Sequence, residues 1–178
     1  MQNDIKKNIK KKNGYVFWIT GLSGAGKTSV AKLIKNEIQE IYGQTIIING
    51  DDLRNIFKFQ TYTKNERLKL AYSYSNFCEF ISRQGINIIF TVVGLFNKIH
   101  KYNRKKIQNY IEVYIKTNVR QIIKFKKKKI YKYKKNIVGL DIKAEFPKSA
   151  DIVVVNNFKK ELKQISKIII KKVRSLKN

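Results

Sequence analysis

Short apolar runs alternate along the chain with segments in which apolar side chains recur every three or four positions. The first run, at 15–20, is rich in β-branched and aromatic residues and predicts a buried strand. Residues 29–41 follow, with apolar side chains spaced as on one face of a helix. This alternation continues to a last helical pattern at 159–176. It predicts a three-layer α/β domain in which a parallel five-stranded sheet lies between helices.

The remaining elements follow from the same two periods. Further strands are predicted at 44–49, 86–93, 110–115 and 151–155, and further helices at 63–84, at 98–108 and from about 118. The strand at 86–93 is apolar nearly throughout, which is typical of a strand covered on both faces. The polar, glycine-containing stretch from 126 to 148 breaks the alternation before the last strand.

Length and composition favour one compact unit. The chain has 178 residues, 43% of them hydrophobic, which is enough to bury a full core in a single domain. We expect a basic N-terminal tail at 1–13 and a single domain at 14–178. The only cysteine is Cys78, so an intramolecular disulfide and a multi-cysteine metal cluster are excluded. No apolar run reaches the length of a membrane span, and we expect a cytoplasmic protein without a membrane partner.

The formal net charge of +27 invites comparison with nucleic-acid-binding proteins. The lysines, however, are spread over nearly every element together with many Ile and Asn residues, which indicates a chain-wide bias in residue choice. Residues 6–12 are expected to be a solvated tail. The run 124–135 interleaves lysines with aromatic residues and is interpreted as either a lid or a nucleic-acid patch. No nucleic-acid-binding motif accompanies either run, so we expect no specific nucleic-acid partner.

A glycine-rich loop lies between the first strand and the first helix. Residues 21–28 fit the pattern G-x-x-x-x-G-K-[ST], in which backbone N–H groups and the helix N-terminus surround a polyphosphate. Lys27 is predicted to reach the outer phosphates, and Thr28 to offer its hydroxyl to Mg²⁺. The predicted ATP-binding residues are Gly21, Leu22, Ser23, Gly24, Ala25, Gly26, Lys27, Thr28 and Ser29.

The second strand ends at a charged turn. Asp51 follows this strand, at the sheet edge where ligands bind in such folds, and is a candidate carboxylate for an acceptor hydroxyl or for Mg²⁺. Arg54 lies three residues on and suits an anionic acceptor. From the residues alone, Asp51 as a helix cap and Arg54 as a surface ion pair remain equally good interpretations.

These motifs, taken in order, resemble those of the adenylyl-sulfate kinases. The matching segments are 17–28, 49–54, 130–132 and 138–141, spread over most of the chain from 14 to 157. The resemblance implies a P-loop kinase that phosphorylates the ribose 3′-hydroxyl of a nucleotide with MgATP. It implies that Asp51 and Lys27 are the catalytic residues.

The same resemblance implies an acceptor site. Arg54 and Arg67 would bind the acceptor together with Asp51, and Tyr62 would supply an aromatic wall. Lys128 falls near the lysine of the family's mobile lid, here about 126–148, and Ile137 occupies the place of a second aromatic wall. Kinases of this kind often pair, so the resemblance leaves a homodimer open, while the sequence alone does not give the oligomeric state.

Several departures from the family pattern affect the acceptor. The family's Asp-Gly-Asp-Asn reads Asn49, Gly50, Asp51 and Asp52, and Leu70 replaces an asparagine that helps to hold the sulfonucleotide. A site that has lost such hydrogen-bonding groups discriminates poorly in favour of that substrate.

The departures favour a sister group, the cytidine diphosphoramidate kinases of bacterial capsule modification. The segments 72–78, 84–87 and 136–141 resemble that group. We therefore predict cytidine diphosphoramidate as the acceptor, with adenylyl sulfate second. A non-catalytic nucleotide-binding or nucleic-acid-binding module is a further alternative, against which the intact Lys27, Thr28 and Asp51 argue.

Lone residues complete the sequence expectations. Cys78 and Trp18 are expected in the core. His100 lies between lysines on a predicted helix and is expected at the surface, without a role. Glu145 and Asp141 are loop carboxylates for which we expect no contact with the lid or a metal.

Overall fold

All five strands lie side by side in one parallel sheet. The protein is described from a computed structural model over residues 12–59, 63–125 and 136–176. The strands are β1 (Val16–Thr20), β2 (Thr45–Asn49), β3 (Asn87–Val92), β4 (Tyr110–Lys116) and β5 (Ile152–Val155). Their order is β2-β3-β1-β4-β5, and every neighbouring pair is parallel. The predicted parallel five-stranded α/β architecture is confirmed.

Helices connect the strands and cover both faces of the sheet. They are α1 (Lys27–Tyr42), α2 (Gly50–Ile56), α3 (Lys64–Ser82), α4 (Asn97–Lys106), α5 (Val119–Lys124) and α6 (Leu162–Ser175). The sequence pattern started α6 at 159, three residues too early. Side-chain oxygens of Asn156 and Asn157 accept hydrogen bonds from the N–H groups of Phe158 and Lys159, and these local turns hold the chain outside the helix.

The central strand β1 is buried on both faces, and the core divides accordingly. Phe17 and Ile19 pack with residues of α1 and α6, while Val16 and Trp18 pack with residues of α3 and α4. Trp18 and Cys78 are fully buried, as predicted. A third apolar cluster lies beyond the carboxyl ends of the strands, formed by Leu22, Leu95, Tyr114, Ile122, Ile137 and Val138. This cluster packs directly against the glycine-rich loop.

The prediction of a surface position for His100 is wrong. The residue is 7% exposed, and its Nδ1 lies 2.5 Å from Oε1 of Glu112, which is itself 1% exposed on β4. Arg104 and Tyr110 also donate hydrogen bonds to this carboxylate. The lysines around His100 lie on the outer face of α4, whereas the histidine lies on the inner face, beside Ile99. A buried carboxylate from another element then satisfies the imidazole.

Only part of the predicted tail and lid falls within the described structure. Most of the tail and residues 126–135 lie outside it. From 136 to 148 the chain forms a turn, in which the N–H groups of residues 140 to 142 donate to the carbonyl of Ile137. Across the three described ranges, no helix combines the length and the apolar character that crossing a bilayer requires.

Candidate active site

The glycine-rich loop spans 21–26, between the end of β1 and the first residue of α1. Gly26 precedes the helix with φ 95°, and no side chain caps the helix there. At Gly21 a Cβ atom would lie 2.6 Å from the carbonyl oxygen of Ile115 on β4, so the loop approaches the sheet more closely than any side chain allows. The first turn of α1 thus begins directly at the end of the loop, the arrangement in which helix N-termini bind anions.

Two side chains at the start of α1 have defined partners. The Lys27 ammonium donates to the carbonyls of Gly21 (3.0 Å) and Leu22 (2.9 Å), which hold it against the loop. The hydroxyl of Thr28 donates to Oδ1 of Asn49 at 3.3 Å, across the gap between α1 and the end of β2. The loop and the second strand end thus face the same space.

Asn49 connects three elements at this edge of the sheet. Its Oδ1 also accepts a 2.5 Å hydrogen bond from the hydroxyl of Thr91, its neighbour in register on β3. Its Nδ2 donates to Oδ2 of Asp52 at 2.7 Å. Asn49, rather than Asp51, is the residue that precedes α2, so the interpretation of Asp51 as the cap is excluded. Asp51 lies in the first turn of α2 and forms an ion pair with Arg54.

Two cavities meet at Asp51. The larger, about 610 Å³, is lined by the loop, Thr28, Asp52 and the segment after β5. The smaller, about 50 Å³, is lined by Arg54, Arg67, apolar side chains and Tyr74. Among the described residues that line these cavities, Asp51 is the only ionisable one common to both. Its carboxylate therefore lies between a nucleotide-sized cleft and a cationic pocket.

Arg67 gives the smaller cavity its character. One of its terminal nitrogens donates to the carbonyl of Asn136 at 3.2 Å, while its Nε is buried without a hydrogen-bond partner. Burial, and then the positive charge of Arg54, lower the pKa of Arg67. An anion in the cavity would satisfy the open donor and relieve the repulsion between the two guanidinium groups.

Tyr74 fixes the position of the turn that carries Asp51. Its hydroxyl donates to the carbonyl of Gly50 at 2.7 Å, and burial raises the pKa of Tyr74 to about 12, so the donor stays protonated. A Cβ atom on Gly50 would lie 3.2 Å from the Tyr74 ring. A side chain at position 50 would therefore have to push the Tyr74 ring aside by a few tenths of an ångström.

The other predicted acceptor residues are placed less simply. Tyr62 and Lys128 lie outside the described residues. Ile137 is 5% exposed and packs in the third apolar cluster, while its neighbour Val138 lines the smaller cavity. The contact of Ile137 with an acceptor stays a prediction.

Two residues to which the sequence analysis gave no role help to shape the site. Asn156, 1% exposed after β5, donates from Nδ2 to the carbonyl of Ala25 at 3.0 Å and braces the glycine-rich loop. Asn156 directly follows a strand, as Asp51 does, and the same strand-end rule that identified Asp51 could have identified Asn156. Glu145 accepts hydrogen bonds from the backbone N–H of Asn97 (2.8 Å) and from Lys64 (2.9 Å), both of which lower its pKa. Glu145 thereby joins the segment after 135 to α3 and α4, through contacts that the sequence did not predict.

Comparison with known proteins agrees with this geometry. The family model for adenylylsulphate kinase matches residues 13–155. The cytidine diphosphoramidate kinase of Campylobacter jejuni is 34% identical over 168 residues, which cover 92% of this chain and 98% of that protein. The adenylyl-sulfate kinase of Clostridium acetobutylicum is 30% identical over 171 residues, which cover 92% of this chain and 86% of that protein.

Solved structures show the same fold. The Mycobacterium tuberculosis APS kinase CysC, in complex with AMPPNP and APS, superposes with a TM-score of 0.80 at 21% identity, covering 91% of this chain and 98% of that one. The chain belongs to the adenylylsulphate kinase family, and it is an ATP-dependent phosphotransferase.

Proposed function

We propose that this member of the adenylylsulphate kinase family transfers the terminal phosphoryl group of MgATP to the ribose 3′-hydroxyl of cytidine diphosphoramidate. The observation that carries the proposal is the position of Asp51 between the two cavities. Phosphoryl transfer needs a donor cradle, an acceptor pocket and a group at their junction that orients the attacking hydroxyl. The larger cleft fits the donor cradle, Asp51 fits the group at the junction, and the smaller cationic cavity fits the anionic group of an acceptor.

The donor cleft suits a nucleoside triphosphate and its metal. Backbone N–H groups of 21–26 would bind the phosphates, with Lys27 placed at the same loop. The Thr28 hydroxyl donates a hydrogen bond to Oδ1 of Asn49, which leaves the lone pairs of its own oxygen as a ligand of the kind that Mg²⁺ prefers. Bound Mg²⁺ would neutralise charge that develops on the phosphates. Among the described residues, no group of three or more His, Cys, Asp or Glu side chains could hold a metal ion.

The acceptor side is built around the Asp51 and Arg54 pair. Asp51 would accept the hydrogen bond, and then the proton, of the attacking hydroxyl. Arg54 holds the carboxylate by their ion pair, and with Arg67 it presents cationic donors to an anionic acceptor. The unsatisfied Nε of Arg67 is a further position for an acceptor oxygen.

Two observations favour the cytidine acceptor. The Campylobacter relative with that name is similar over nearly the full length of both chains. The smaller cavity presents Leu70, at the position where the resemblance places an asparagine that helps to hold the sulfonucleotide, beside the apolar side chains of Phe96 and Val138. Adenylyl sulfate is the second candidate, because the family model and the Clostridium relative carry its name. With cytidine diphosphoramidate as the acceptor, the enzyme would act in capsule modification in the cytoplasm, and two copies of the chain would form a homodimer.

A direct comparison of acceptors tests the proposal. Purified protein with MgATP and either cytidine diphosphoramidate or adenylyl sulfate is assayed for ADP release, with kcat/KM for each acceptor. We expect a preference of at least tenfold for the cytidine compound. The Asp51→Asn variant, which keeps the size of the side chain, serves as the control and should lose transfer to both. A preference for adenylyl sulfate would assign the protein to sulfate activation.

A further inference from the structure

The two neighbouring carboxylates of α2 have different surroundings. Asp51 forms an ion pair with Arg54 and lines both cavities. Asp52 accepts a hydrogen bond from the neutral amide of Asn49. It lines the larger, nucleotide-sized cleft but not the smaller cavity. Of these consecutive residues, Asp51 therefore borders both cavities and Asp52 borders only the larger one.

The charges of the two groups differ as well. The charge of Asp51 is largely balanced by the guanidinium of Arg54. Over the described ranges Asp52 takes part in no ion pair. Its hydrogen-bond partner, the side-chain amide of Asn49, is neutral and does not balance the charge of the carboxylate. A full negative charge thus faces the cleft from the Asp52 side, within a protein of net charge +27.

The orientation of the Asn49 amide links this charge to Thr28. Both Thr28 and Thr91 donate their hydroxyl protons to Oδ1, so Nδ2 must point the other way, to Asp52. One side chain therefore fixes the hydroxyl oxygen of Thr28 and the carboxylate of Asp52 on the same edge of the cleft.

We propose that Asp52 is a metal-positioning residue, which holds the Mg²⁺ of MgATP through metal-bound water while Asn49 keeps it in register with Thr28. The proposal rests on the proposed function and assigns the carboxylates separate tasks: Asp51 serves the acceptor and Asp52 the donor. Mg²⁺ suits this arrangement, because it keeps several waters and binds proteins through one or two carboxylates plus substrate phosphates.

The Asp52→Asn variant isolates the charge. Its side-chain oxygen still accepts the hydrogen bond from Asn49, so the geometry of the turn is retained. Calorimetric titration with ATP is carried out with and without Mg²⁺. The ratio of the two ATP affinities, here called the metal factor, measures how much the metal strengthens nucleotide binding. We expect that factor to fall roughly tenfold, the effect of one charge on a divalent ion about 5 Å away in water. Affinity for metal-free ATP should stay the same or rise slightly.

A matched control removes the same charge elsewhere. Glu40 is exposed on α1, twelve residues and thus about 18 Å along the helix axis from Thr28. The Glu40→Gln variant should leave the metal factor unchanged. An equal effect of both variants, or no effect of Asp52→Asn, would overturn the proposal.

Exchanging the two groups adds a second test. The Asn49→Asp, Asp52→Asn double variant keeps one carboxylate and one amide in the contacting pair, and should recover most of the lost metal factor. No recovery would mean that the carboxylate does not act on the metal from this edge. These titrations need no acceptor, so a wild-type protein that transfers to no nucleotide would refute the proposed function while leaving the metal factor to decide on Asp52.

Discussion

Arg67 offers a perturbation whose effects on binding and on stability should diverge. Replacing it by methionine removes the guanidinium from the smaller cavity but keeps a long side chain with good helix propensity on α3. If the cavity is the acceptor site, the Arg67→Met variant should bind acceptor poorly and yet fold about as well as the wild type.

The magnitudes follow from the contacts. The variant loses one hydrogen bond to the carbonyl of Asn136, worth about 1 kcal/mol. It also removes a buried donor without a partner and the repulsion from Arg54, which offset that loss. We therefore expect the free energy of unfolding to change by less than about 1 kcal/mol. A lost hydrogen bond to a charged acceptor costs about 1.5 to 3 kcal/mol, or roughly 10- to 150-fold in acceptor affinity.

Two assays measure the two effects. ADP release at varied acceptor and varied ATP gives both KM values, and urea unfolding gives the stability. Arg83→Met is the control, because Arg83 lies just after the same helix with its side chain 58% exposed and paired with Glu79. An unchanged acceptor KM in Arg67→Met, or an equal rise in the ATP KM, would refute the assignment of this cavity to the acceptor.

Three further predictions concern buried and tethered groups. Cys78 is fully buried, and burial raises the pKa of its thiol. The thiol should therefore resist a thiol reagent at pH 8 until urea unfolds the protein. Rapid labelling of the native protein would contradict this. His100→Ala leaves the buried carboxylate on β4 with fewer partners and should cost about 2 to 4 kcal/mol in urea unfolding, with a loss below about 1 kcal/mol as the contrary result. The backbone N–H of Asn97, and then Lys64, lower the pKa of Glu145 in the folded state. The contribution of Glu145 to stability is therefore fully present above the pKa of about 4.3 that it has in the unfolded chain, and it is lost as the pH falls through the lower pKa of the folded protein. The stability difference between wild type and Glu145→Gln should therefore shrink between pH 7 and pH 3, and a constant difference would contradict this assignment.

The sequence predicted what depends on local pattern. Residue periodicity predicted each strand of the sheet. The rule that ligands bind at the carboxyl ends of parallel strands predicted that Asp51 lies near the glycine-rich loop. The resemblance to a family supplied Arg67, but its place in the smaller cavity depends on the packing of α3 against Gly50 through Tyr74. That packing is a tertiary contact without a local signal.

The remaining differences also come from contacts between distant segments. His100 and Glu112 lie on α4 and β4, and a polar side chain among lysines gives no indication of a buried partner on another element. Ile137 packs in the apolar cluster beside Leu22, a placement that the sequence did not predict, and its contact with an acceptor stays a prediction. The next residue, Val138, lines the smaller cavity. The hydrogen-bonded turn at 137–142 therefore determines which of these two neighbouring side chains faces that cavity.

The central claim is that Asp51 activates a nucleotide 3′-hydroxyl between the two cavities. The most direct measurement is ³¹P NMR of the products from MgATP and cytidine diphosphoramidate, with the 3′-deoxy analogue of the acceptor as a control. We predict ADP and a new monoester resonance that couples to the ribose 3′-proton, absent with the analogue and absent with the Asp51→Asn variant. Phosphate that appears on another group, in free solution only, or equally with the Asp51→Asn variant would contradict this account.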